Sequence, residues 1–135
     1  MDKSDERILR ILQSDDNGKT NENLKKYLDY LKKNLSYPCV LTGIEDFNWE
    51  EFYIFGPGDK EEYEELKKTK PSYTDRFELL ELLDKVDLIL GIFAKVKRGS
   101  DEKIFLIPLA DLKAADRKSE NYQLLHDFSV WIVNY

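Results

Sequence analysis

The sequence predicts an α+β fold in a single domain, with helices in residues 1–36 and a small, mostly antiparallel β-sheet or barrel in residues 37–135. Two apolar patterns with helical spacing come first, and short β-leaning runs separated by turns follow. A chain of 135 residues is long enough to bury one hydrophobic core. No internal repeat or linker divides the sequence, so we expect one domain.

The N-terminal part contains two helical patterns. The first is short and depends on the apolar residues between 8 and 12. The second runs roughly over residues 21–35, where leucine and tyrosine recur at helical spacing and lysines occupy the other faces. Pro38 ends this helical part.

The turn at residues 15–18 invites comparison with a helix–loop–helix calcium loop. Placing Gly18 at the glycine of that template puts Gln13 at its first position and Leu24 at its twelfth. The template requires Asp at the first position and a bidentate Glu at the twelfth. We therefore interpret this segment as a helix connector.

From Cys39 onward the pattern indicates short strands. A polar turn with a glycine at residues 98–101 predicts that the runs on either side of it form a hairpin. Residues 77–83 fit a strand or a helix, and their spacing leaves both open. The predicted strands are residues 39–44, 52–55, 88–97, 103–109 and 128–133.

The remaining segments are more polar. Asp59 begins a short acidic helix that reaches Lys68, and Pro71 begins a loop that reaches Thr74. We expect residues 111–121 to form a loop or a short helix. A helical turn is predicted for residues 122–126.

Composition excludes several classes of function. The net charge of −6 disfavours nucleic acids and anionic membranes as general partners. No apolar run approaches the roughly 20 residues of a transmembrane helix. Residues 1–10 are charged and lack the apolar run of a signal peptide, so we expect a cytoplasmic protein.

The chain contains one cysteine, Cys39, and one histidine, His126. Cys39 cannot form an internal disulfide, and its apolar neighbours indicate a small buried side chain. A catalytic pair of Cys39 and His126 is geometrically conceivable, but no local motif marks a nucleophile. Zinc and copper sites are disfavoured, because both metals prefer nitrogen and sulfur ligands and the chain has only one histidine and one cysteine. We therefore expect a protein that is not an enzyme.

The negative charge is concentrated in residues 45–65. This segment holds nine carboxylates and one lysine, a charge of −8, whereas the rest of the chain sums to +2. Repulsion within such a segment costs free energy unless a cation or a basic partner offsets it, or unless solvent screens it. All three explanations are open at this point.

The most informative stretch is residues 43–52, in which two acidic pairs flank an aromatic-polar turn at residues 47–48. If the chain reverses there, Glu45 or Asp46 faces Glu50 or Glu51, and like charges directly opposite one another are destabilising. Ca²⁺ would convert that cost into binding, because it takes six to eight oxygen ligands in flexible geometry. Asp75 and Asp111 lie at predicted element ends. Capping usually explains such residues, but each could also complete the shell of a cation.

Two alternatives compete with a metal site. A charged hairpin on an ordinary surface explains the same residues without a ligand. An acidic interaction module, such as an inhibitor or immunity-type protein, would use residues 45–65 to bind a basic protein partner. Such a module would be indifferent to Ca²⁺.

Several blocks of the sequence, taken in order, resemble the small calcium-binding proteins first recognised in cyanobacteria and also found in other bacteria and plastids. The strongest are Leu41-Thr42-Gly43-Ile44-Glu45-Asp46-Phe47 and Trp49-Glu50-Glu51-Phe52-Tyr53. Others lie at residues 37–39, 94–98, 108–112, 121–125 and 130–131, so the resemblance spans roughly residues 22–135.

The resemblance implies helices beside a small β-sheet or SH3-like barrel, with residues 77–83 as a strand. It also implies a non-catalytic protein that buffers or senses Ca²⁺ through surface carboxylates, without a helix–loop–helix loop. It places the metal role on Glu45, Asp46, Glu50 and Glu51. The candidate metal ligands, with two further carboxylates added, are Glu45, Asp46, Glu50, Glu51, Asp75 and Asp111.

Overall fold

A computed structural model describes residues 3–13 and 16–134 of the chain. The described residues form five α-helices and one antiparallel sheet of five strands, so the predicted α+β class is confirmed. The helices are α1 Lys3–Leu12, α2 Asn21–Asn34, α3 Glu51–Ile54, α4 Lys60–Leu66 and α5 Glu120–Asn134. The strands are β1 Val40–Gly43, β2 Phe77–Asp87, β3 Gly91–Arg98, β4 Ile104–Pro108 and β5 Leu112–Ala114.

The strands form one antiparallel sheet with the order β4-β3-β2-β1-β5. Its ends, β4 and β5, do not pair with each other, so the sheet is open and does not close into a barrel. The strand at residues 77–83 is confirmed, because Phe77 pairs with Arg98 and Leu79 with Val96. The predicted hairpin is confirmed as β3 and β4.

The two N-terminal helices are confirmed. Thr20 caps α2 by accepting a hydrogen bond from the Asn23 N–H at 3.1 Å. The apolar residues predicted for α2 form one buried face, which packs against β2. Between the helices, Asp16 accepts a hydrogen bond from the Gly18 N–H at 2.8 Å. Asp15, the first residue of the predicted connector, lies outside the described residues.

The strand predicted at residues 128–133 is wrong, because these residues belong to α5 together with residues 122–126. Leu125, Phe128, Trp131 and Ile132 recur at helical spacing and are buried. A short apolar run fits either a buried strand or a helix, and here the side chains three and four residues apart meet the core. The helix is also tied to the α1–α2 connection, where Trp131 Nε1 donates to the Asn17 carbonyl at 2.7 Å.

Three further segments differ from the sequence prediction. Residues 52–55 are not a strand, since a 3-10 turn at Asn48–Glu50 leads directly into α3. Residues 88–90 form the turn between β2 and β3 instead of the start of a strand. Residues 112–114 form β5 within a segment predicted as loop or short helix.

Among the described residues, no helix has the length and apolar character needed to cross a membrane.

Candidate metal site

A cavity of about 520 Å³ opens between the end of β1, the start of α3, the turn between β2 and β3, and the C-terminal end of α5. It collects four of the six predicted ligands: Glu45, Asp46, Glu51 and Asp111. No described residue that lines it is basic. We call it the acidic cavity. The other lining residues are Ile44, Phe47, Asn48, Ile89, Leu90, Pro108, Ala110, Ser129, Val130, Ile132, Val133 and Asn134.

Backbone connections between two distant segments bring these carboxylates together. Glu45 and Asp46 follow β1, and Glu51 begins α3. Asp111 lies in the 3-10 turn that connects β4 with β5. The Ile44 N–H donates to the Asp111 carbonyl at 3.0 Å, which holds the two segments side by side. β1 and β5 also pair directly, so the sheet itself fixes this proximity.

The electrostatics of the acidic cavity favour a cation. Protein atoms around Asp111 partly desolvate its carboxylate, although some of the side chain remains accessible to water, and this raises its pKa above the ordinary value. The neighbouring charge of Glu45 raises the pKa of Asp111 further. Both effects penalise the ionised carboxylate, and the attraction of a bound cation would offset both penalties.

The carboxylates of the acidic cavity line its wall but do not form a finished coordination shell. Within residues 3–13 and 16–134, no three Asp, Glu, His or Cys side chains lie close enough to form a ready-made metal cluster. Glu45, Glu51 and Asp111 are exposed and can change rotamer without disturbing the core. A metal ion would therefore have to draw these side chains inward.

Glu50 occupies a different environment from its neighbours. Its side chain is completely buried and accepts three hydrogen bonds. The donors are the Phe47 N–H at 2.9 Å, the Tyr73 N–H at 3.1 Å and the Tyr63 hydroxyl at 3.0 Å. Of the two alternatives for the second acidic pair, Glu50 does not face Glu45 or Asp46, because its side chain points into the protein and closes the 3-10 turn, whereas Glu51 lines the same cavity as both.

Asp75 also lies outside the acidic cavity. Its carboxylate accepts from Arg98 Nη1 at 3.0 Å and from the Ser72 N–H at 2.9 Å. Arg98 is buried and also forms an ion pair with Asp101 at 2.8 Å. It donates as well to the carbonyls of Lys67, Lys68 and Lys70 at 2.9 to 3.0 Å. The positive charge next to Asp75 is therefore the guanidinium of Arg98, with which it forms an ion pair.

The acidic residues of α4 behave as a solvated helix face. Asp59 caps the helix, and Glu61, Glu62, Glu64 and Glu65 are exposed. Two of them form exposed ion pairs with lysines of the next turn, which contribute little to stability. The charge of −8 in residues 45–65 is thus divided among the acidic cavity, one buried carboxylate and this helix.

Cys39 is buried, with 1% of its surface exposed, as the sequence predicts. Burial raises the pKa of its thiol to about 11, which keeps it protonated near neutral pH. His126 stacks on Tyr122 within α5.

The sequence does not identify the apolar residues that line the acidic cavity. Ile89 and Leu90 come from the turn between β2 and β3, and Val130 and Val133 come from the end of α5. The sequence predicts strands for both segments, and apolar residues in a strand are normally explained by burial in the core. The available signal was the run of three large aliphatic residues directly after Asp87.

No protein-family model and no curated protein sequence matches this chain. Two solved structures share its fold. One is described as a calcium binding protein in the calcium-binding form; it is 16% identical, with a TM-score of 0.58 over 96% of this chain and 89% of that chain. The other is Anabaena CcbP, which is 14% identical, with a TM-score of 0.59 over 98% of this chain and 92% of that chain.

Proposed function

We propose that this protein binds Ca²⁺ in the acidic cavity, with Glu45, Asp46, Glu51 and Asp111 as its carboxylate ligands. The observation that carries the proposal is the gathering of four carboxylates, with no basic residue among them, in one concave site. The fold is shared with a protein described as calcium-binding, which supports the same metal.

The donor set suits Ca²⁺ better than other common cations. Ca²⁺ takes six to eight oxygens at roughly 2.3–2.6 Å in flexible geometry, and it accepts carboxylates, amide oxygens and water together. Asn48 and Asn134 line the same cavity and offer amide oxygens. Mg²⁺ demands strict octahedral geometry, and zinc prefers nitrogen and sulfur ligands, which this cavity does not offer.

Glu50 and Asp75 are left out of the proposed ligand set. Both carboxylates already accept hydrogen bonds that hold loops in place, and neither lines the acidic cavity. Recruiting either would break those contacts and cost free energy.

A site that must close around its ion binds more weakly than a preorganised one. We expect a Kd on the order of 10⁻⁶–10⁻⁴ M, a range that suits buffering or sensing of Ca²⁺. A cytoplasmic location and a non-catalytic role remain predictions from the sequence.

Calorimetric titration of chelator-stripped protein with CaCl₂ tests the proposal. We expect one binding event, and we expect the double variant Glu45→Gln/Asp111→Asn to weaken it by at least about tenfold, because two charged ligands are lost. The metal-free double variant should be at least as stable as the parent, since the repulsion between these residues is removed.

The matched control is Glu61→Gln/Glu65→Gln, which removes the same charge from the exposed face of α4. It should leave the Ca²⁺ affinity within about twofold, because exposed charges outside the site are screened. Equal losses in the two double variants would mean that only the general acidity of the surface attracts the ion. Absence of heat and of any rise in Tm at millimolar Ca²⁺ would rule out the proposal.

A further inference from the structure

We propose that the acidic cavity is also the docking site for a partner segment that carries basic and bulky apolar side chains, and that Ca²⁺ expels this segment. The docking half of the proposal stands on the geometry of the cavity alone. The coupling to Ca²⁺ rests on the proposed function.

The first observation is a turn that presents large aliphatic side chains to solvent. Leu88, Ile89 and Leu90 connect β2 to β3 and are 49%, 82% and 46% exposed. Three consecutive exposed aliphatic residues are unfavourable in water unless something covers them. We call residues 88–90 the apolar turn.

The second observation is that the apolar turn is held in one conformation. Asp87 Oδ1 accepts hydrogen bonds from the N–H groups of Ile89 and Leu90, both at 2.8 Å. Gly91, at φ +82°, then turns the chain into β3. Backbone N–H groups bonded in this way keep the aliphatic side chains directed outward, so a partner would find them already in place.

The third observation is the position of the apolar turn beside the carboxylates. Ile89 and Leu90 line the acidic cavity together with Val133, which is 77% exposed near the end of α5. Glu45 and Asp111 line the same cavity. A concave site lined by both apolar and anionic residues is typical of pockets that bind an amphipathic side chain or a short peptide.

The negative charge of the acidic cavity determines which kind of partner can bind there. Four carboxylates without a basic residue attract Lys or Arg and repel anionic lipid. A second copy of the chain would bring the same acidic surface and a net charge of −6. A segment that alternates basic and large apolar residues can contact the carboxylates and the aliphatic side chains of the cavity at the same time.

Coupling to Ca²⁺ follows because both ligands need the same carboxylates. An ion bound at Glu45 and Asp111 cancels part of the negative charge that attracts the basic side chain of the partner, and its own positive charge repels that side chain. By thermodynamic linkage, the factor by which Ca²⁺ weakens the peptide equals the factor by which the peptide weakens Ca²⁺. The low-calcium state therefore holds the partner, and the calcium-bound state releases it.

The test uses the full chain in chelator and a fluorescently labelled hexapeptide that alternates leucine and arginine. Its charge-matched control alternates serine and arginine, and its apolar control alternates leucine and glutamine. Fluorescence polarisation should give affinity for the leucine–arginine peptide at least about tenfold above either control. Equal binding of the leucine–arginine and serine–arginine peptides would overturn the docking proposal.

Two variants locate the binding surface. Ile89→Ser should weaken the leucine–arginine peptide by about tenfold, since a largely exposed aliphatic side chain would become buried on binding. Leu106→Ser is the matched control, because Leu106 is 59% exposed on β4 and does not line the acidic cavity. Equal losses in the two variants would place the peptide elsewhere and overturn the assignment.

The coupling has its own measurement. Saturating Ca²⁺ should lower peptide affinity by about tenfold, and saturating peptide should lower Ca²⁺ affinity by the same factor in calorimetry. If Ca²⁺ binds and peptide affinity does not change, the coupling is wrong while the proposed function stands. If no Ca²⁺ binds but the peptide does, the proposed function fails while the docking site stands.

Two further outcomes would reassign the apolar turn. Cosedimentation with phosphatidylcholine–phosphatidylserine vesicles in Ca²⁺, lost in Ile89→Ser, would identify a membrane surface as the occupant. Concentration-dependent dimerisation in sedimentation velocity, lost in Ile89→Ser, would identify a second copy of this chain. Either result overturns the peptide proposal.

Discussion

Single carboxylates in this protein take different roles according to their surroundings, although their sequence neighbours are alike. Glu50 and Glu51 are adjacent, yet Glu50 is buried with three hydrogen bonds while Glu51 is exposed on the wall of the acidic cavity. Asp75 and Asp101 share the guanidinium of Arg98. A carboxylate is available to a ligand only where no donor of the protein already binds it, so the surrounding hydrogen-bond donors decide the role of each acidic residue.

Substitutions at Glu50 test this division. Glu50→Leu leaves the N–H groups of Phe47 and Tyr73 without their acceptor, so we expect a loss of roughly 2–5 kcal/mol in the free energy of unfolding. Glu50→Gln retains a carbonyl oxygen for both donors and should cost about 1 kcal/mol or less. Urea denaturation of metal-free protein measures both values.

The Glu50→Gln variant also separates structure from metal binding. Its Ca²⁺ affinity should stay within about threefold of the parent, because Glu50 does not line the acidic cavity. A loss of Ca²⁺ binding as large as that of Glu45→Gln/Asp111→Asn would make Glu50 a ligand and contradict our ligand set.

At the scale of elements, the short turn between β2 and β3 determines which side chains are exposed at this end of the sheet. Asp87 accepts hydrogen bonds from the N–H groups of Ile89 and Leu90, and Gly91 adopts a φ that residues with side chains rarely accept. A Cβ at Gly91 would lie 2.8 Å from Cδ1 of Ile132 on α5. The same glycine therefore sets the turn and permits the close approach of α5 to the sheet.

Gly91→Ala should lower the free energy of unfolding by about 1–2 kcal/mol from the positive φ alone, with a further loss from the contact with Ile132. Gly99→Ala is the matched control, because the nearest atom to its added Cβ is the Arg76 carbonyl oxygen at 3.6 Å. Denaturant titration of both variants gives the comparison. Similar losses at the two positions would show that strain at Gly91 does not shape the turn.

At the scale of the whole molecule, the acidic cavity exists because the sheet and α5 bring distant segments to one place. Glu45 follows β1 and Asp111 precedes β5, and these two strands pair at the edge of the sheet. The C-terminal end of α5 contributes Val133 to the lining. Binding an ion here ties several elements together, so it should stabilise the entire fold.

The stabilisation by Ca²⁺ should depend on pH in a definite direction. At a hundredfold excess over Kd we expect a gain of about 2.7 kcal/mol near neutral pH. The raised pKa of Asp111 means that its ionised form destabilises the metal-free fold, and that this penalty disappears as the pH falls through that pKa. The Ca²⁺ increment should therefore shrink on acidification, starting above the pH at which an ordinary aspartate protonates.

Melting temperatures with Ca²⁺ and with chelator, from about pH 7 to about pH 4.5, measure this increment. Asp101 does not confuse the result, because Arg98 lowers its pKa to about 2 and its stabilising charge persists throughout this range. A Ca²⁺ increment that stays constant down to about pH 4.5 would exclude Asp111 from the ligand set.

The sequence by itself determined the fold class, both N-terminal helices, the β3–β4 hairpin and the concentration of charge in residues 45–65. These features depend on local spacing, turn residues and charge counts, which can be read along the chain. It also proposed six candidate metal ligands, of which the structure gathers Glu45, Asp46, Glu51 and Asp111 in one cavity and places Glu50 and Asp75 elsewhere.

Only the tertiary structure decided that residues 128–133 are helical, that Glu50 is buried and that the sheet stays open. It also decided that Ile89 and Asp111 line the same cavity. Each of these outcomes depends on contacts between residues far apart in the chain, such as Trp131 with Asn17 and Glu50 with Tyr73. Local propensity is a fraction of a kcal/mol per residue, so contacts of this kind override it wherever the two disagree.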